Sequence, residues 1–116
     1  MTEKKKAGLP EELAARAGRI ADLAKYQAGG IVSRQIIQKQ TGSVTLFAFD
    51  EGQALSEHTA PFDALVQVLD GGVEITIAGV ALTLKAGEAV IMPAHRPHAL
   101  RALTKMKMLL TMIRQN

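Results

Sequence analysis

From Ile31 onward the apolar positions come in short runs separated by turn residues, and most runs alternate with polar positions. "VEITIAGVALTL" is the clearest. Val73, Ile75 and Ile77 fall on one face and Glu74 and Thr76 on the other, with Gly79 available for a hairpin turn. "IVSRQII", "SVTLFAF", "LVQVL", "VALTLKAG", "AVIMP", "HALRAL" and "MKMLLTMI" complete a series of short strands. Asp70-Gly71-Gly72 and Lys85-Ala86-Gly87-Glu88 mark turns between them. So many strands in about 85 residues predict an all-β fold, an antiparallel sandwich or small barrel.

Two runs break the alternation. Ala64 to Leu69 and Met106 to Ile113 are apolar at nearly every position, so both faces of these strands should be covered. The inside cover is the core; the outside cover is a second sheet, the N-terminal segment or another subunit. Methionines 92, 106, 108 and 112 read as core or interface packing and not as a copper site.

Before Ile31 the period changes. In "LPEELAARAGRIADLAKYQAGG" Leu13, Ala17, Ile20 and Ala24 share a helical face, Pro10 suits a first turn, and Glu11 and Glu12 favour its positive end. Gly18 weakens the middle, leaving one helix or two short pieces, and Gly29-Gly30 ends it. The expected organisation is a tail and helical arm over residues 1–30 and one β domain over residues 31–116. A chain of 116 residues leaves too little surface to bury in two cores.

Charge and composition exclude more than they assign. The net charge is +3, and the first eight residues, with three lysines and one glutamate, leave only +1 for the rest. That is no nucleic-acid footprint, and three Phe, one Tyr and no Trp make a poor stacking platform for single strands. "EELAARAG" looks like part of a helix-turn-helix, but the glycine- and β-branch-rich segment after it supplies no recognition helix. The absence of Cys removes disulfides, thiolate metal sites and thiol nucleophiles. Neither a signal sequence nor an 18-residue apolar run is present, so a cytoplasmic protein with no membrane contact is expected.

The candidate chemistry lies in "GQALSEHTAPFDALVQVLDG" and "GEAVIMPAHRPHAL". These segments resemble the two motifs of the cupin superfamily, in particular the small single-domain, RmlC-like cupins built as a double-stranded β-helix or jelly-roll barrel. Gly52, His58 and Gly71 match the first motif, while its second histidine and its glutamate are replaced by Ala60 and Ala64. Gly87, Pro93 and His98 match the second motif, His95 stands where glycine is usual, and Ala102 replaces the terminal asparagine. The likeness covers about residues 31 to 113.

The resemblance implies a metal held by three histidines and a glutamate, of which His58 and His98 remain. His95 and Asp63 are the candidates to complete a reduced shell for Zn, Fe, Mn or Ni; Asp63 also reads as a turn residue bonded to backbone. Gln67 and Arg96 are candidate polar contacts for an organic ligand, alongside His58 and His98. Three functions stay open. The first is a cupin that binds a small organic molecule between His58 and His98. The second is a metal-dependent oxygenase, isomerase or lyase with a reduced ligand set, and the third is a structural or regulatory dimer. A homodimer is expected from the doubly apolar terminal strand.

Overall fold

Nine antiparallel strands in two facing sheets make up the body of the molecule in a computed structural model that describes residues 8–114. The lysine run at residues 4–6 lies outside the described residues. The strands are β1 (Ile31–Lys39), β2 (Gly42–Phe49), β3 (Ala54–His58), β4 (Phe62–Asp70), β5 (Gly72–Ile77), β6 (Val80–Lys85), β7 (Ala89–Met92), β8 (His98–Ala102) and β9 (Met106–Arg114). One sheet has the order β1-β2-β9-β4-β7 and the other β3-β8-β5-β6. This is a jelly roll: neighbours in each sheet come from distant parts of the sequence, as β2–β9 and β5–β8 do.

Alternation places the core between the sheets. Phe49, Val66, Val68, Val73, Ile75, Leu100, Met106 and Met108 point inward and are buried together. Each such side chain contributes roughly 1.5–3 kcal/mol by leaving water. The β5–β6 hairpin turns at Ala78-Gly79, both with positive φ (49° and 84°), the mirror-image turn that matches strand twist. At the opposite end of β5, Gly71 has φ 72°, and a Cβ there would lie 2.0 Å from the Lys105 carbonyl oxygen. Only glycine lets these two backbones pass.

The eight sequence-predicted strands are all present, and β3 adds a ninth. It is short and mostly exposed, and its polar residues carry little alternation.

The N-terminal segment is where the sequence pattern misleads. A first turn forms after Pro10, with the Ala14 N–H donating to the Pro10 carbonyl at 3.0 Å. It stops at Ala15 (φ 56°), and the only other helical piece in residues 9–30 is a 3-10 turn, Ile20–Leu23. A helix this short is marginal without tertiary support, and here the tertiary contacts favour a winding path. Leu13, Ile20, Leu23, Ala24 and Tyr26 pack onto the outer face of the five-stranded sheet, against Val32, Ile36, Leu46, Ala48, Leu69 and Leu109. Arg34 binds both Glu12 carboxylate oxygens (2.8 and 3.1 Å), and Lys107 Nζ donates to the Ala21 carbonyl at 2.6 Å. Tyr26 donates to Asp70. The arm thus covers part of the outer faces of β4 and β9, the strands whose sequence is apolar on both sides. No helix among the described residues is long and apolar enough to cross a membrane.

Candidate functional site

One end of the barrel gathers the polar inward-facing groups. β3 and β8 pair with Leu55 opposite Leu100, and then with His58 opposite His98. Three residues on β3 therefore face two steps on β8, so a bulge at Ser56-Glu57 carries an extra residue. Strict alternation from the inward Leu55 would send His58 to solvent. The bulge returns it to the inner face, beside His98.

The two rings meet through their Nε2 atoms at 3.2 Å, edge to face, with centroids 4.4 Å apart. Each Nδ1 is already committed: His58 Nδ1 lies 2.8 Å from the Ser56 carbonyl oxygen and His98 Nδ1 lies 3.1 Å from that of Arg96. A carbonyl only accepts, so each Nδ1 carries a hydrogen. Two neutral rings would then point bare Nε2 lone pairs at each other. The pair is completed by one positive or hydrogen-donating partner: a shared proton, a ligand donor or a metal ion.

His98 is buried and His58 is exposed. Burial pushes the His98 pKa below its ordinary value and the nearby His58 adds to this, against the opposing effect of the Arg96 carbonyl bond. His98 is thus held toward its neutral form, which suits a lone-pair donor.

The other candidate residues are placed elsewhere. Gln67 does not join the site. Val66 and Val68 take the inward positions of β4, so Gln67 lies on the outer face, opposite Leu109 and Ala89. Arg96 contributes its backbone carbonyl to His98, and its side chain is exposed. Asp63 also lies on the outer side of β4 and accepts from the Ala94 N–H at 2.9 Å, the backbone-bonding role the sequence allowed. His95 is exposed in the β7–β8 loop, its N–H donating to the Ala60 carbonyl at 2.8 Å. Among the described residues no third His, Cys, Asp or Glu joins His58 and His98 into a cluster that would hold a metal, so the expected completion by His95 or Asp63 is not formed. The φ of His95 is 68°, which explains why glycine is usual there. Ala64 is buried between its register partners Met92 and Met112, so thioethers and methyls adjoin the place where the resemblance expects a glutamate.

The carbonyls of Ser56 and Arg96 orient the rings, and no sequence signal marks them. Each belongs to the second residue before its histidine, and the local chain path alone brings it to the ring.

Comparison with known proteins fits this architecture. Residues 45–114 match the family model described as "Cupin domain". A conserved protein of unknown function from Streptococcus pyogenes is 32% identical, with 88% of this chain and 90% of that one covered and a TM-score of 0.85. A cupin superfamily protein from Desulfitobacterium hafniense is 27% identical over 92% of this chain and 95% of that one, with a TM-score of 0.84. A cupin 2 conserved barrel domain protein from Leptotrichia buccalis is 40% identical with a TM-score of 0.78; the match covers 81% of this chain and 46% of that longer one. No curated protein matches. The chain belongs to the cupin family.

Proposed function

We propose that the protein binds a small organic molecule at the mouth of the barrel, with the His58 and His98 Nε2 atoms as its polar anchor. The observation that carries this reading is the 3.2 Å approach of two Nε2 atoms whose Nδ1 partners leave both in need of a donor or cation. Apolar neighbours supply burial: Ile77 lies opposite His98, and Ile75 pairs with Leu100 on the same inner face. Such a site, a few directional groups on apolar walls, is the usual composition of a ligand pocket. Thermal-shift screening of the full chain against a fragment library tests it, since a ligand selective for the folded state raises the melting temperature. Hits should be lost in both His58→Ala and His98→Ala. Hits that persist in both variants would place the pocket elsewhere.

The same spacing favours a second reading, a divalent ion (Zn, Fe, Mn or Ni) held by both Nε2 atoms with ligand or solvent completing the shell. Nitrogens bound at about 2.0–2.1 Å in a tetrahedral shell stand roughly 3.3 Å apart, close to the separation here. A bound ion would supply Lewis-acid chemistry for an enzymatic role. With two protein donors its affinity should be low, so chelator dialysis strips the ion and either histidine-to-alanine change abolishes uptake. Metal that survives dialysis would overturn the two-donor assignment.

We also propose a homodimer. On the outer face, Ile37, Val44, Thr111, Leu65 and Ile91 stand in one register row across all five strands, and Ile91 is 61% exposed. Ile113, 63% exposed, stands beside this row. The arm covers the same sheet elsewhere, and a second copy would bury the remainder. Sedimentation at low micromolar concentration should give twice the chain mass, and Ile91→Lys should give the monomer.

A further inference from the structure

On the sheet opposite the imidazole pair there is a cavity of about 160 Å³. Its walls are the ends of β1, β2, β4 and β9, and they carry Lys39 and Arg114, the hydroxyls of Ser43 and Thr45, and the amide of Gln35. No carboxylate lines it. Chain path and register put these groups at the histidine end: Phe62 begins β4 four residues after His58 ends β3, and Arg114 faces Phe62 on the inner side, one alternate position beyond Met112.

Arg114 is held by a ring contact and a backbone hydrogen bond and not by an ion pair among the described residues. Its guanidinium carbon stands 4.9 Å from the Phe62 ring centroid, and its backbone N–H donates to the Thr41 carbonyl at 2.8 Å. Among the described residues Arg19, Arg34 and Arg101 each have a carboxylate partner; Arg16, Arg96 and Arg114, like Lys39, do not, and of these Arg114 is the one set against an aromatic ring. A guanidinium lying on an aromatic face keeps its N–H edge free for a planar, two-oxygen acceptor. The cavity holds roughly five water volumes, the size of a head group and not of a whole ligand.

We infer that Arg114, seated on Phe62, is the carboxylate-binding subsite of the barrel mouth, so that the ligand is a small organic carboxylic acid whose remaining part reaches toward His58 and His98. This rests on the ligand-binding reading given above. The guanidinium fork matches two oxygens of a carboxylate or of a phosphate alike; a carboxylate fits better because it leaves no further oxygen and no second negative charge to satisfy. The chain presents no glycine-rich phosphate loop to hold a third oxygen; Arg114 and Lys39 are both exposed at the rim of the cavity.

Chemical-shift titration of the full chain with two matched pairs, benzoate with benzamide and phenylacetate with phenylacetamide, and with inorganic phosphate, tests the assignment. Each carboxylate should bind about tenfold or more tighter than its amide. Arg114→Met should erase that preference by weakening the acids far more than the amides, and Arg114→Lys should restore part of it. The assignment is overturned if no carboxylate binds, if acid and amide bind alike in the native protein, if Arg114→Met keeps the preference, or if phosphate shows the same Arg114-dependent binding as the acids. His58→Ala and His98→Ala separate this subsite from the imidazole anchor. Weakening of acids and amides alike supports both. Carboxylate binding that depends on Arg114 and ignores the histidines keeps the subsite and removes the anchor.

Discussion

The two ends of the barrel are built from the same strands and the same inner faces, yet they differ in almost every physical respect. At the closed end Phe49, Val73 and Met106 are fully buried. Along β2 the inward positions then run Phe47, Thr45 and Ser43, along β9 they run Met108, Leu110, Met112 and Arg114, and on β8 they end at His98. Exposure rises as polarity does: Val80 and Leu82, whose β5 partners face the core, are 61% and 38% exposed at the open side. Stability and binding are therefore separated along one axis of the fold. Close-packed apolar side chains at one end hold the sheets together, and the other end is left free to carry unsatisfied polar groups.

The sharpest way to break this comparison is to remove volume at each end in turn. Phe49→Ala should cost about 3–5 kcal/mol in a denaturant titration, and Met112→Ala, half-buried at the mouth, under about 2 kcal/mol. Equal losses would show that the mouth is as tightly packed as the closed end.

A smaller effect separates the ends by pH. Since the His98 pKa is depressed in the folded protein, the unfolded chain takes up that proton first as pH falls below about 6.5. The stability owed to neutral His98 is present above that value and is lost as pH falls through the lower, folded pKa. His98→Leu should cost about 1 kcal/mol at pH 7.5, where the Arg96 carbonyl loses its partner, and should flatten the acid-side decline. A decline of unchanged slope would mean that other groups set it.

The smallest effect is expected at His95. Its φ of 68° is strained for a side chain and free for glycine, so His95→Gly should be neutral or stabilising by up to about 1 kcal/mol. Ligand affinity should be unchanged. A loss of affinity would bring His95 into the site.

How much of this was readable in advance varies with the kind of signal. Period-two patterning in "VEITIAGVALTL" carries both strands and the turn, since side-chain direction in a strand follows from covalent geometry. The helical pattern of residues 9–30 carried burial but not conformation: Leu13, Ile20 and Ala24 do pack on one surface, along a non-helical path. Gln67 could be misassigned because "LVQVL" is apolar around it on both faces, and nothing local says which face is the inside. His58 and His98 were marked by motif spacing.

The sequence by itself determined the strands, the turns that require glycine, the apolar core and the two histidines, because each follows from local sterics or from the free energy of leaving water. Tertiary structure decided what those residues do. It placed the bulge that turns His58 inward, committed both Nδ1 atoms to carbonyls, spent Asp63 on a loop amide and set Arg114 on Phe62. These depend on register between strands far apart in sequence, and the positions of backbone carbonyls are not written in any side chain.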